Sequence, residues 1–204
     1  MKNNIIQNVI ILITLVFTMS FVNAEKFSKG KVIYNDGKSK TGFIESSWNK
    51  TIQFKTSETA TAEKINVDDL KTVVYFNDDG TTDELDRVKR YGLFNKLTDY
   101  EWLHVAERGA VTIYVIGTTM GKISGPKASF TDYYAIREGE LGAKMICSVS
   151  SGNPNSVFRN RAPVYFADYP ELAEKIKSKL YTYKTIMLAV REYNNWAAQK
   201  INKR

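Results

Sequence analysis

The sequence is 204 residues long, 43% hydrophobic and 25% charged, which excludes a disordered tail, a collagen-like rod and a multi-span membrane protein. The 29 Lys and Arg against 22 Asp and Glu leave a net charge of +7, basic without being extreme. One histidine and one cysteine exclude most metal-site and thiol chemistry, and the length fits one domain or a closely joined pair.

Residues 1–24 read as a secretory signal. Lys2 supplies the positive n-region, residues 9–17 form an apolar h-region, and Val22-Asn-Ala24 offers small residues before a cut at Glu25. The apolar run is too short for a spanning helix, which needs about 20 apolar residues. No cysteine lies near the cut, which excludes an acylated N-terminal cysteine. Cys147 has no partner in the chain and lies in the apolar run Met145-Ile-Cys-Ser-Val149, where a buried, inert thiol is expected.

From residue 30 to 76 short strand signals alternate with turns. Lys31-Val-Ile-Tyr34 leads into the turn Asn35-Asp-Gly37, and 41–45 is the return strand. The segment 51–55 alternates, placing Ile52 and Phe54 on one face. A strand at 64–67 follows, then Asp68-Asp69 turns the chain into 70–76, the strongest strand by β-branched and aromatic content. A turn at Asn77-Asp-Asp-Gly80 opens a second series, with strands expected at 85–91, 101–107, 111–116, 133–137 and 141–149, and a hairpin turn at Glu138-Gly-Glu140. Residues 151–160 read as a linker by their Ser, Gly, Asn and Pro content.

After the linker the period becomes helical. Asp168-Tyr-Pro-Glu171 reads as a helix start, with Asp168 as cap and Glu171 closing a capping-box spacing. Leu172, Ile176 and Leu180 form one stripe; Tyr181-Thr182 breaks it; Ile186, Val190, Tyr193, Ala197 and Ile201 form a second. Strands first and helices last predict an α+β fold: a mainly antiparallel β body at 25–150, divided at about residue 80, then an αα-hairpin at 161–204.

The motifs Lys31-Val-Ile-Tyr-Asn-Asp-Gly37, Gly42-Phe-Ile44 and Ile65-Asn-Val-Asp-Asp-Leu70 resemble the N-terminal part of a group of exported Bacteroidota proteins. The tail resembles the same group through Val164-Tyr-Phe-Ala-Asp-Tyr-Pro-Glu-Leu172 and Arg191-Glu-Tyr-Asn194. Members often carry Cys where Tyr169 stands here and another near Asn195-Trp196, so a disulfide between the helices cannot be carried over. The resemblance implies an envelope or secreted location and a β-rich build, and supplies no activity. Residues 30–76 are also similar to a small Sm-like or SH3-like barrel; such barrels often bind RNA, a role that export argues against.

Several short motifs fail on their geometry. Gly117-Thr-Thr-Met-Gly-Lys122 has three residues between its glycines where a phosphate loop needs four, and Ile123 where Ser or Thr would hold magnesium. Ser124-Gly-Pro-Lys127, Ser151-Gly-Asn153 and Lys40-Thr-Gly42 resemble the motifs of serine acyltransferases of cell-wall synthesis, but Gly125-Pro126 denies Ser124 its helix and the Lys-Thr-Gly comes first. His104 shares a strand face with Trp102 and Ala106 and reads as packed or surface rather than as a general base. Zinc by His/Cys ligation is excluded. Residues 77–84 are oxygen-rich, but aligning Gly80 to the EF-hand glycine puts Tyr75 at the first ligand position, so a hairpin turn is expected.

Basic and aromatic residues interleave at Arg87, Lys89, Arg90, Tyr91, Phe94, Lys96, Tyr100 and Trp102. Such an edge can hold an anionic or sugar-containing ligand, aromatics stacking and cations binding charge, with a solvated strand face as the plain alternative. The candidate ligand-binding residues are therefore Arg87, Lys89, Arg90, Tyr91, Phe94 and Trp102. No catalytic residue, metal or cofactor is assigned. The expected role is a non-catalytic binding or accessory module of the envelope, its partner an envelope protein or an anionic or saccharide ligand, with no nucleic acid. A hydrolase of an envelope polymer, acting through Ser124 or a carboxylate pair, is the competing class. The expected location is periplasmic, outer-membrane-associated or secreted.

Overall fold

The computed structural model describes residues 27–45, 50–120 and 128–201; the signal segment and the Ser124 motif lie outside them. Ten strands form one sheet: β1 (Phe27–Tyr34), β2 (Ser39–Glu45), β3 (Thr51–Lys55), β4 (Glu63–Asn66), β5 (Leu70–Phe76), β6 (Thr82–Val88), β7 (Glu101–Glu107), β8 (Val111–Met120), β9 (Ala128–Arg137) and β10 (Lys144–Ser148). Their order is β4-β3-β2-β1-β5-β6-β7-β8-β9-β10, and every neighbouring pair is antiparallel. Three helices follow, α1 (Pro154–Tyr165), α2 (Pro170–Lys177) and α3 (Ile186–Ile201), so the fold is α+β as expected.

The hairpins form where turn chemistry demands them. Asn35-Asp-Gly37 and Asn77-Asp-Asp-Gly80 each end in a glycine with positive φ, 84° and 82°, a region costly for a residue with a Cβ. In the second turn Asp79 accepts from the amide and hydroxyl of Thr81, which is why this oxygen-rich stretch is a turn. A 3-10 turn at Val67–Asp69 carries the chain from β4 to β5, which pairs back onto β1.

Alternation along the strands divides the apolar residues among separate cores. Val32, Ile44, Ile52, Phe54, Leu70 and Val73 are buried together among the first five strands. In β8 and β9 the period of two is explicit: Val111, Ile113 and Ala135 face the helices, whereas Tyr114 and Tyr134 turn the other way to join Leu103 and Ala143. The helices answer with Phe158, Phe166, Leu172, Ile176 and Val190, all fully buried. Each such side chain contributes about 1.5–3 kcal/mol of transfer free energy. Beyond β6 the chain makes one parallel bridge, Arg90 to Ala143, in which the Tyr91 amide donates to the Ala143 carbonyl (2.9 Å) and the Ala143 amide to the Lys89 carbonyl (2.8 Å). This joins the end of β6 to the approach of β10 and curls the second half of the sheet.

Two sequence expectations need correction. Residues 151–160 are not a linker, because α1 starts at Pro154. Asn153 caps it by accepting from the Ser156 amide (3.1 Å), and proline suits the first helical turn, so the same residues that mark a loop here mark a helix start. The expected C-terminal helix pair is present as α2 and α3, and α1, which the sequence reading does not anticipate, precedes it from residue 154. Asp168 does not cap α2; Tyr169 occupies that position without a side-chain cap bond, and Asp168 instead binds Arg137 (2.9 Å) and Tyr193 (2.5 Å). A guanidinium and a phenol outcompete a helix amide for one carboxylate.

The helices are fastened to the sheet by polar contacts. Arg137 lies 4.3 Å and 5.2 Å from the ring centres of Tyr165 and Tyr193 and donates to the Tyr165 carbonyl (2.7 Å) and the Tyr193 hydroxyl (3.1 Å). Asn194 of α3 exchanges two bonds with the backbone of Val111: the Val111 amide donates to its Oδ1 (2.8 Å) and its Nδ2 donates to the Val111 carbonyl (3.1 Å). Tyr169 and Trp196 stack in parallel with ring centres 4.6 Å apart. No described helix is long and apolar enough to cross a membrane.

Candidate functional site

A groove of about 820 Å³ lies between α1 and the sheet, where the end of β6, β9 and β10 come together. One face of α1 forms a wall: Val157, Asn160, Arg161 and Val164 line the groove at i, i+3, i+4 and i+7, while Phe158, Ala162 and Phe166 turn into the core. Tyr134 and Arg137 reach it from β9, Lys144 and Met145 from β10, and Arg90, Tyr91 and Phe94 from the segment after β6. The parallel bridge at Arg90 holds that segment against the other wall.

The lining has four cations, Arg90, Arg137, Lys144 and Arg161, and no carboxylate. Three of them are fixed from behind. Arg90 binds Glu101 (3.1 Å) and donates to the Tyr134 hydroxyl (3.2 Å); Arg137 binds Asp168; Lys144 binds Glu140 (3.0 Å). Glu140 is itself buttressed: burial works against its charge, but the Arg137 amide, the Tyr165 hydroxyl and Lys144 hold it below the usual carboxylate range. Arg161 is exposed, and its side chain makes no ion pair or hydrogen bond with any described residue. The groove thus combines preorganised donors with one uncommitted cation, and an acceptor-rich ligand is the complement.

The structure divides the six residues expected from sequence. Arg90, Tyr91 and Phe94 line the groove. Arg87 and Lys89 do not: both lie against the ring of Tyr100, at 4.7 and 4.9 Å, and Arg87 also binds Asp68. Trp102 packs against the N-terminal core. The division follows from the pleat, since alternate residues of β6 face opposite ways and the strand ends at Val88. Arg137, Lys144 and Arg161 were missed by the sequence reading. Arg161 follows directly on the stretch whose composition reads as a linker, and Arg137 and Lys144 flank a hairpin turn that gives no sign of pointing at a helix.

His104 is exposed and lines a separate cavity of about 650 Å³ with Phe43, Tyr75, Phe76, Asp78 and Asp83, whose acidic lining none of the six candidates reaches. Among the described residues no three His, Cys, Asp or Glu are grouped to hold a metal ion. Cys147 is fully buried with its Sγ 3.6 Å from the Pro154 carbonyl, and burial, with Asp132 nearby, pushes its thiol up to about 11. A thiol reagent at pH 8 is accordingly expected to label Cys147 only on unfolding. Labelling of the native protein within minutes would contradict a buried, inert thiol.

Compared with protein families, curated proteins and solved structures, the chain matches none of them. The fold and the groove therefore define a class only: an α+β protein with a basic cleft between its sheet and its first helix.

Proposed function

We propose that the protein is an exported, envelope-associated binding module that takes an anionic ligand in the groove between α1, β9 and β10, with recognition rather than catalysis as its role. The observation that carries this reading is the lining itself: four cations and no carboxylate, with three of the cations oriented by ion pairs to carboxylates outside the lining and Arg161 left free among the described residues. Donors fixed before binding lose little freedom when an anion arrives, which favours affinity. Export rests on the n-region, h-region and small-residue cut of residues 1–24.

Amide NMR titration with inorganic phosphate tests the proposal. Shifts are expected to concentrate at 144–148 and 157–165, and Arg161→Glu is expected to weaken them about tenfold, the equivalent of about 1.4 kcal/mol. The same substitution is expected to leave the melting temperature within a degree or two, because Arg161 is exposed and unpaired. Shifts scattered over the whole basic surface, indifferent to Arg161→Glu, would sink the reading.

A further inference from the structure

Resting on that reading, we infer that the ligand is an anionic single-chain amphiphile, its head bound at Arg161 and its apolar chain laid along Val164 and Met145 beneath Phe94. The groove is polarised for such a molecule. The charged groups of its lining are guanidinium and ammonium donors without a carboxylate, which favours an anionic head over a neutral saccharide. The α1 face carries valines one turn to either side of Arg161, so the uncommitted cation stands within an apolar strip. Val164 is 76% exposed.

Phe94 supplies the second, independent observation. Its side chain is 100% exposed, the largest possible surface for an apolar ring, and its backbone is left-handed at φ 56°, followed by Asn95 at φ 59°. Asn95 tolerates that region, but a bulky Phe94 there is strained by about 1–3 kcal/mol, and such strain gathers at ligand clamps. Folding gains nothing from holding a phenyl ring in water on a strained backbone. A ligand chain beneath the ring would bury it, and the loop is tied on both sides for that purpose: Gly92 donates to the Lys96 carbonyl (2.8 Å) and Thr98 to the Arg90 carbonyl (2.9 Å).

The test compares dodecyl phosphate, dodecanoate, dodecyl maltoside, dodecyltrimethylammonium and inorganic phosphate by calorimetry and amide NMR, all below their micellar concentrations. Each buried methylene adds roughly fourfold to affinity, so dodecyl phosphate is expected to bind at least a hundredfold tighter than phosphate. Phe94→Gly is expected to lower the ratio of dodecyl phosphate to inorganic phosphate affinity about tenfold, and to keep or raise the melting temperature, because glycine accepts the left-handed backbone. A preference between the phosphate and carboxylate heads identifies the source as phospholipid-like or fatty-acid-like. Groove shifts with phosphate but no gain from the dodecyl chain would overturn the amphiphile and leave the anion site standing. Equal binding of the maltoside or the ammonium would overturn it too, since the head would then play no part. No groove binding by any anion would remove both readings.

Discussion

Arg108→Ala is expected to destabilise the fold by about 3–5 kcal/mol at neutral pH, because it strands the most buried carboxylate among the described residues. Asp86 is 3% exposed and accepts four bonds: from Thr72 (2.6 Å), from the Tyr114 hydroxyl (2.8 Å) and two from Arg108 (2.9 and 2.8 Å). Arg108 also forks onto Glu84 (3.1 and 2.6 Å), so one guanidinium is shared by two strand-β6 carboxylates. Burial works to raise the Asp86 carboxyl, and the bonds from Arg108, Thr72 and Tyr114 outweigh it and hold it below its ordinary value. Its stabilising contribution is therefore complete above the unfolded value of about 4 and is lost as pH falls through the lower folded one. Without Arg108, burial dominates and the folded value rises above the unfolded one, so the sign reverses: the variant loses stability as pH climbs above about 4. Urea melts from pH 3 to 7 read this directly. Adding Asp86→Asn to Arg108→Ala is expected to restore part of the loss, since an amide needs no counter-charge. Equal losses at pH 3 and pH 7 would show that Arg108 acts through packing instead.

The second large effect concerns the seam between α3 and the sheet. Asn194→Ala is expected to cost about 2–4 kcal/mol, because it leaves the amide and carbonyl of Val111 without the partners they have at the start of β8. Gly109 is the companion residue. A Cβ there would lie 2.3 Å from the Asn194 Nδ2 and 2.4 Å from its Cγ, so an alanine displaces the amide that makes both bonds. Gly109→Ala is thus expected to cost about as much as Asn194→Ala, and the double variant little more than either. Chemical denaturation of the three variants forms the cycle. Additive losses would mean that Gly109 matters for some reason other than clearing space for Asn194.

The elements with strong local signatures were legible from sequence. Strand 101–107 and strand 70–76 fall where alternation and β-branched content place them, and Ile52 with Phe54 share one buried face. The turns at Gly37 and Gly80 were legible because few other residues accept their backbone. What failed was reading one set of residues for the wrong purpose. Asn153-Pro154 looks like a loop and caps a helix, and Asp168 looks like a cap and binds a guanidinium thirty-one positions away. The groove was half legible for the same reason. Arg90, Tyr91 and Phe94 announce themselves by composition, whereas Arg137, Lys144 and Arg161 join them only through pairing that local sequence does not encode.

The bridge between Arg90 and Ala143 also orders events in time. It closes an excursion containing β7, β8 and β9 that is longer than the one from β1 to β5, the pairing that closes the separate core of the first five strands. Closing a long excursion costs entropy before it returns any contact, so it comes late in folding. Phe94 is positioned by that bridge and Arg161 by a helix that follows it in the chain. The groove is therefore the last part of the molecule expected to form, and a nascent or partly refolded chain is expected to hold a packed N-terminal core before the groove exists.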